Sequence, residues 1–268
     1  MRFDARTTLA HRAPYRSKTG TVSEVLGLPD AIKVALFDLD GVLTTTAVLH
    51  RTAWGEAFDA FLSKRSTDGS GQPNEDYRPF TEQDYLDYVD GRPRADGVRN
   101  FLASRNVTVD DATADAIGEG KNNRFTALLQ RDGVTPYPGS VRYLQAASDA
   151  GLGIAVVTSS KNGAAVLDAA DLSKFIRVRV DGIEVARRGL PGKPAPDSYL
   201  LGAELMGVPA AQAAVFEDAL SGIESGVAGK FGYVVGIDRV GGTQAASMTA
   251  AGADVVVTDL DQLLEGES

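Results

Sequence analysis

The sequence contains no cysteine, and this absence excludes several kinds of chemistry. Without cysteine there is no disulfide framework, no thiol nucleophile and no thiolate metal site. The absence is consistent with a reducing compartment, and we expect a cytoplasmic location.

Long apolar runs are missing as well. No stretch approaches the roughly 18 residues of a membrane-spanning helix, and the N-terminus lacks the apolar core of a signal peptide. We therefore expect a protein that is neither exported nor bound to a membrane. Residues 1–22 are rich in arginine, serine and threonine, as an organelle transit peptide is, but we favour a solvated tail.

Positive charge is scarce, because 27 Lys and Arg residues face 36 Asp and Glu residues and leave a formal net charge of −9. This balance argues against a nucleic-acid partner, since binding to a phosphate backbone needs a basic face. A basic pocket inside an acidic protein is still compatible with it. The apolar content of 43% is typical of a folded protein, and 268 residues suffice for one large domain or for two.

The central motif of the chain is a predicted buried strand that ends in two carboxylates. Residues 32–37 are mostly apolar and β-favouring, Asp38 and Asp40 follow at once, and Gly41 lets the chain turn. In extended backbone residues i and i+2 point the same way, so the two carboxylates would repel each other unless a cation lies between them. A hard cation such as Mg²⁺ suits that position. Taken alone, the motif is better explained as an Asp–Gly turn at a strand end.

Two patterns of secondary structure follow this motif. Helical spacing predicts helices at 47–64, 81–89, 94–104 and 111–131, with no strand between them. From residue 136 onward, helices at 138–150, 163–170, 197–206 and 219–228 alternate with strands at 153–158, 175–180, 213–216, 233–237 and 254–257. Such alternation implies βαβ crossovers and a parallel sheet.

These patterns predict an α/β protein, a Rossmann-like parallel sheet core with an inserted all-helical cap domain. Roughly 115 residues separate Asp38 from Gly153, which is too many for a crossover loop. We therefore predict an N-terminal extension at 1–30, a core domain at 31–46 and 136–268, and a cap at 47–135. A cap over the carboxyl edge of the sheet would admit substrate and then exclude water.

Three further polar clusters lie where predicted strands end, the edge at which α/β sheets bind ligands. They are Thr158-Ser159-Ser160, Lys193 between two prolines, and Glu217-Asp218. Each alone has an ordinary explanation as a helix N-cap or a surface lysine. Together with the first motif they supply paired carboxylates, hydroxyl groups and one lysine, an inventory that suits phosphoryl transfer.

In this order the four segments F-D-L-D-G-V, V-V-T-S-S, G-K-P-A-P-D and F-E-D-A-L-S-G-I resemble the haloacid-dehalogenase (HAD) superfamily of phosphatases and phosphomutases. The resemblance spans residues 33–259. Within the superfamily, the chain resembles the β-phosphoglucomutase-like family in the segments D-G-V-L-T-T-T-A-V-L-H-R-T-A-W, G-R-P-R-A-D-G-V, G-K-N-N-R-F and T-S-S-K-N-G.

The resemblance implies a HAD fold and a role for each catalytic residue. Asp38 would attack phosphorus and become a phosphoaspartate, and Asp40 would act as general acid and base. Lys193 would offset charge, while Thr158 and Ser159 would hydrogen-bond the transferring phosphoryl group.

The same resemblance implies a Mg²⁺ cofactor and a set of substrate-binding residues. The metal ligands would be Asp38, the Asp40 backbone carbonyl and Asp218, with Glu217 nearby. Arg94 would grip a distal phosphate through its planar fork of donors. The implied substrate-binding residues are Thr46, His50, Trp54, Arg94, Lys121, Ser159, Ser160 and Asn162. Without the resemblance His50 would be an ordinary helix histidine, Trp54 a core residue, and Arg94 and Lys121 solvated helix charges.

The implied function is that of a phosphomutase that interconverts β-D-glucose 1-phosphate and glucose 6-phosphate through an aspartyl-phosphate and a 1,6-bisphosphate. Its partner would be a small-molecule sugar phosphate, and the protein would be a monomer or a weak homo-oligomer. The alternatives are a Mg²⁺-dependent phosphatase of small phosphoesters and a non-catalytic phosphometabolite-binding protein. Thr45, Asp90, Arg92 and Pro93 depart from the family pattern and keep the phosphatase open.

Overall fold

The computed structural model describes residues 21–264, so most of the predicted N-terminal tail lies outside the described residues. A short helix, α1 (Val22–Leu26), opens the described chain. The side chains of Leu26 and Leu28 are buried, and the hydroxyl of Tyr143 donates to the Leu26 carbonyl at 2.9 Å. The end of the predicted extension therefore packs against the sheet domain.

The described chain forms one six-stranded sheet, and every strand pair in it is parallel. The strand order is β3-β2-β1-β4-β5-β6. The strands are β1 (Val34–Phe37), β2 (Gly153–Val157), β3 (Val178–Val180), β4 (Ala213–Glu217), β5 (Tyr233–Ile237) and β6 (Val255–Val257). The predicted parallel sheet is confirmed, with β1 at its centre between β2 and β4.

All the predicted helices form, in the predicted order. Between β1 and β2 the chain forms α2 (Thr46–Thr67), α3 (Glu82–Tyr88), α4 (Arg94–Ser104), α5 (Asp111–Asp132) and α6 (Pro138–Asp149). After β2 it forms α7 (Gly163–Ala169), α8 (Gly182–Arg188), α9 (Asp197–Met206), α10 (Leu220–Ala228) and α11 (Gln244–Ala250). Local chemistry sets several ends: Thr81 and Asp84 form a capping box on α3, and Pro138 opens α6.

Apart from the short α1, for which no helix was predicted, the structure differs from the predicted elements at three places. The strand predicted at 175–180 is wrong in its first half, because Ser173–Phe175 forms a 3-10 turn and β3 begins only at Val178. Helices α8 and α11 were not predicted. Each buries a single side chain, Val185 in α8 and Met248 in α11, so no apolar repeat marks these helices in the sequence.

Two apolar clusters cover the two faces of the sheet, and alternate residues of β1 point into them. Phe37 joins the cluster that contains Tyr143 and Phe216, whereas Leu36 joins the cluster that contains Tyr199. Both faces of the central strands are therefore buried, as expected for a parallel sheet covered by helices.

A third apolar cluster lies entirely within α2, α3, α4, α5 and their connections. The rings of Trp54 and Phe58 stack with centroids 5.0 Å apart, and Phe58 also contacts Phe101 at 4.1 Å. The predicted parallel α/β core with a helical cap is confirmed, whereas the domain boundaries at residues 46 and 136 stay a prediction. Within residues 21–264, no helix combines the length and the apolarity that crossing a membrane requires.

Replacement of Phe58 by alanine should destabilise the cap by about 3–5 kcal/mol, because it removes a fully buried ring from the third cluster. Trp54 is the single tryptophan of the chain and stacks on Phe58, so its fluorescence reports the unfolding of this cluster in a urea titration. The matched control is Lys64→Ala on the exposed face of α2, which should change stability by less than about 0.5 kcal/mol. Equal effects of the two substitutions would contradict the prediction.

Candidate active site

The end of β1 places Asp38 and Asp40 at the carboxyl edge of the sheet. The backbone N–H of Asp38 continues the sheet by donating to the Phe216 carbonyl at 2.9 Å, and the backbone N–H of Asp40 donates to Oδ2 of Asp38 at 3.0 Å. Gly41 has a φ of +90°, and a Cβ there would overlap the Asp218 carboxylate. The turn that follows β1 therefore also carries the two carboxylates, and only glycine fits at position 41 of this turn.

Lys193 lies between two carboxylates and is only 2% exposed, so it is not a surface lysine. Its Nζ donates to Oδ1 of Asp38 at 2.6 Å, to Oε1 of Glu217 at 2.5 Å and to the Val157 carbonyl at 3.2 Å. Burial alone would lower the pKa of Lys193, but Asp38 and Glu217 outweigh burial and the pKa is raised. The ammonium group is therefore fixed in its charged form.

Three carboxylates at this edge are placed to hold a metal ion. Asp38, Glu217 and Asp218 each offer an oxygen, and the three oxygens lie within 4.8 Å of one another. Burial raises the pKa of Asp38 and of Asp218, and the neighbouring carboxylates raise them further. Lys193 bonds two of the three, whereas no hydrogen bond or ion pair reaches the Asp218 carboxylate among residues 21–264. This donor set fits Mg²⁺, which prefers carboxylate oxygens and would relieve their repulsion.

The Asp40 carboxylate faces away from this triad and toward α2. It accepts a hydrogen bond from the Thr46 hydroxyl, its Oδ1 lies 3.4 Å from Nε2 of His50, and its Oδ2 lies 3.4 Å from Oγ1 of Thr158. Burial would raise the pKa of Asp40, but His50 and Thr46 outweigh it and the pKa is lowered. Asp40 is therefore held as an anion that can take up a proton.

Helix α5 of the cap reaches the same site through Lys121. Its Nζ lies 2.5 Å from Nδ1 of His50 and 5.0 Å from the ring centroids of both Trp54 and Phe125. Burial lowers the pKa of Lys121 to about 7, and the nearby Arg94 lowers it further. When Lys121 is charged it has donors only, so His50 then accepts at Nδ1 and carries its proton on Nε2, toward Asp40.

Two core hydroxyls hold the cap loop that precedes α4. Ser159 donates to the Gly91 carbonyl at 2.7 Å, and Ser221 donates to the Asp90 carbonyl at 3.0 Å. Ser159 was expected on the transferring phosphoryl group, and in the described structure its hydroxyl instead contacts the cap. Burial raises the pKa of Asp90, which adds a further carboxyl near Asp218.

A second polar cluster lies between α4, α5 and the loop after β2. Nη2 of Arg94 and Nδ2 of Asn162 both donate to Oδ1 of Asn122, at 2.7 and 3.0 Å. The Ser160 hydroxyl accepts from the backbone N–H of Asn162 at 3.2 Å. The structure thus brings Arg94, Ser160 and Asn162 together with Asn122, and the substrate-binding role of the first three stays a prediction.

Sequence reasoning missed Asn122, Ser221 and Arg239, because each acts through contacts that no local pattern records. Arg239 follows β5 and donates to the Gly41 carbonyl at 3.0 Å and to the Thr258 carbonyl at 2.6 Å. Its guanidinium lies 3.7 Å from the ring centroid of Tyr137. It therefore braces the catalytic turn against the chain that returns from the cap.

One cavity of about 950 Å³ connects these groups. The predicted site residues that line it are Asp38, Asp40, His50, Trp54, Arg94, Lys121, Thr158, Ser159, Ser160, Asn162, Lys193 and Asp218. Thr46 and Glu217 do not line the cavity. Thr46 instead donates a hydrogen bond to Asp40, and Glu217 accepts one from Lys193. The cavity can enclose a small anionic substrate between the cap and the carboxyl edge of the sheet.

Replacement of Asp218 by asparagine should have opposite effects on stability with and without Mg²⁺. In EDTA the variant should melt at a higher temperature than the wild type, because on folding Asp218 must either bury a charge among other carboxylates or take up a proton, and asparagine does neither. With Mg²⁺ the wild type should gain stability and the variant little, since a ligand is missing. Differential scanning fluorimetry measures both, with the exposed Glu204→Gln as control. Equal gains with Mg²⁺ in both proteins would contradict this assignment.

Comparisons with known proteins agree with this geometry. The family model described as haloacid dehalogenase-like hydrolase matches residues 32–229. The chain is 49% identical over 253 residues to a β-phosphoglucomutase of Mycobacterium bovis, an alignment that covers 90% of this chain and 95% of the relative. It is 27% identical over 199 residues to hexitol phosphatase A of Escherichia coli, covering 72% of this chain and 77% of that protein.

Among solved structures, the β-phosphoglucomutase of Clostridium difficile shares the fold with a TM-score of 0.69 at 22% identity. That comparison covers 87% of this chain and 94% of the other. The resemblance to the β-phosphoglucomutase-like family is therefore confirmed. The chain belongs to the haloacid dehalogenase-like hydrolases and is an enzyme of that family.

Proposed function

We propose that the protein is a phosphomutase that interconverts β-D-glucose 1-phosphate and glucose 6-phosphate. One observation carries the proposal: Lys193 and Arg94, which have different partners, both line the same cavity. A mutase that forms a sugar bisphosphate must hold two phosphate groups at once, whereas hydrolysis of a monoester needs one phosphate site. The similarity to the mycobacterial β-phosphoglucomutase supports the same conclusion.

The reaction would begin on protein phosphorylated at Asp38. As a sugar hydroxyl attacks that phosphorus, Asp40 takes its proton, a new sugar O–P bond forms and the bond to the Asp38 carboxylate breaks. Thr46 and His50 hold Asp40 as an anion and so prepare it to act as the base. The product of this half-reaction is the 1,6-bisphosphate.

The second half-reaction would be the reverse, with the other phosphate at the reacting position. Asp38 attacks that phosphorus, the sugar O–P bond breaks, and Asp40 returns its proton to the leaving oxygen. Lys193 offsets negative charge on Asp38. Asp38, Asp218 and the Asp40 carbonyl would hold Mg²⁺, with Glu217 nearby, and the bound ion would neutralise charge on the transferring phosphoryl group.

The cap would keep water away from the phosphoaspartate while the sugar is bound. Lys121 on α5 contacts His50, and His50 faces Asp40, so the catalytic acid and base depend on the position of the cap. Hydroxyls of the core hold the loop at Asp90 and Gly91 in the same arrangement. Exclusion of water favours transfer to sugar over hydrolysis.

A phosphatase of a small phosphoester is the second candidate. Asp90 supports it, because an acid stands where the family pattern can carry a lysine, so the loop before Arg94 lacks one cation that could bind a second phosphate. The similarity to a hexitol phosphatase points the same way.

Phosphorus-31 NMR of the wild-type protein distinguishes the two candidates. With Mg²⁺, β-glucose 1-phosphate and a trace of 1,6-bisphosphate as primer, the expected result is conversion to glucose 6-phosphate with little free phosphate. Release of inorganic phosphate in step with loss of substrate would instead identify a phosphatase.

Asp38→Asn should abolish turnover, lowering kcat by more than about 1,000-fold, because the amide oxygen is a far weaker nucleophile than the carboxylate. The measurement is the rate of glucose 6-phosphate formation in a coupled assay. Asp87→Asn is a suitable control, because Asp87 is an exposed acid on α3. Retention of turnover by the Asp38 variant would exclude Asp38 as the nucleophile.

A further inference from the structure

The stem of the Arg94 side chain lies against α5 at a glycine. A methyl group at Gly118 would lie 2.9 Å from Cδ of Arg94 and 3.2 Å from its Cγ, which is too close for either to stay in place. Gly118 is buried beneath the arginine. Glycine destabilises a helix interior relative to alanine. At position 118 this cost has a physical explanation, because any larger residue would occupy the space of the Arg94 side chain.

The guanidinium end of Arg94 is held one helical turn further along α5. Asn122 follows Gly118 by four residues and therefore lies on the same face of the helix. Its Oδ1 accepts from Nη2 of Arg94 at 2.7 Å. Gly118 and Asn122 thus contact the two ends of one side chain, and we refer to this pair as the arginine seat.

The arginine seat also connects the cap to the core. The same Oδ1 of Asn122 accepts from Nδ2 of Asn162, in the loop after β2, at 3.0 Å. Arg94 and Asn162 therefore present donors from the cap and from the core around a single oxygen. A guanidinium has five N–H donors and an amide has two, so both keep donors for a ligand oxygen beside Asn122.

We propose that Gly118 and Asn122 are positioning residues that fix the Arg94 guanidinium, together with Asn162, for the second phosphate of a bisphosphate substrate. This inference rests on the proposed function and deepens it. An arginine side chain has several rotatable bonds, and holding its fork in advance reduces the entropy lost on binding. The bridge to Asn162 joins the donors of cap and core into one phosphate-binding group.

The chain offers a matched control on the same helix. Gly120 lies two residues from Gly118, and a Cβ there would meet no atom within 4 Å. Gly118→Ala and Gly120→Ala therefore make the same chemical change in the same helix, and both raise helix propensity. Only Gly118→Ala displaces Arg94. A difference in ligand binding between the two variants therefore measures the effect of the arginine seat.

The test is calorimetric titration in an Asp38→Asn background with Mg²⁺, so that no turnover occurs. The probes are glucose 1,6-bisphosphate and inorganic phosphate, and the quantity measured is the ratio of their Kd values. Gly118→Ala and Asn122→Leu should each reduce the preference for the bisphosphate by about 10-fold or more, the scale of a charge-assisted contact. Gly120→Ala should leave the preference within about twofold.

A preference that is unchanged in Gly118→Ala and Asn122→Leu would overturn the proposal, as would a starting protein that binds the bisphosphate no more tightly than phosphate. An equal effect of Gly120→Ala would assign the loss to the helix instead of the seat, and so also overturn it. Gly118→Ala keeps the test valid if Asn122→Leu does not fold. Because the titration uses inactive protein, a phosphatase result by NMR is distinguishable from a failure of the seat.

Discussion

The site depends on one buried ion pair network, in which the Lys193 ammonium contacts both Asp38 and Glu217. Removal of one partner from such a pair typically costs about 3–5 kcal/mol, because the remaining charge is buried without compensation. Tyr199 adds a hydrogen bond to Glu217 at 3.0 Å, so the network extends into α9. The position of Asp38 is therefore fixed by the core of the sheet domain and does not depend on the cap.

The cap contributes two cationic side chains to the site, and within residues 21–264 neither is paired with a carboxylate as Lys193 is. Arg94 and Lys121 both come from cap helices, and each contacts a polar partner instead of a carboxylate. Lys193 is locked in its charged form, whereas burial brings the pKa of Lys121 down to about 7. The core thus provides permanent charge, and the cap provides groups whose state and position can respond to a ligand.

The sequence predicted the core half of this site well, for a physical reason. Asp38, Thr158 and Glu217 lie at the ends of neighbouring parallel strands, so the strand pattern alone brings them together. Asn122 and Arg239 could not be predicted, because their partners are far away in sequence and depend on the packing of the cap and of the chain after β5. Ser159 shows a further limit, since a strand-end hydroxyl was expected to face substrate and instead donates to Gly91.

The core holds the loop at Asp90 and Gly91 through the main-chain carbonyls of these two residues, whereas the Asp90 side chain bonds Tyr85 within the cap. Every residue type carries a carbonyl, so the docking of this loop does not depend on which side chain position 90 displays. A base in place of the acid at position 90 would keep both carbonyl hydrogen bonds. Because Asp90 also lines the cavity, this one position can change the charge that faces a substrate while the contact between cap and core is retained.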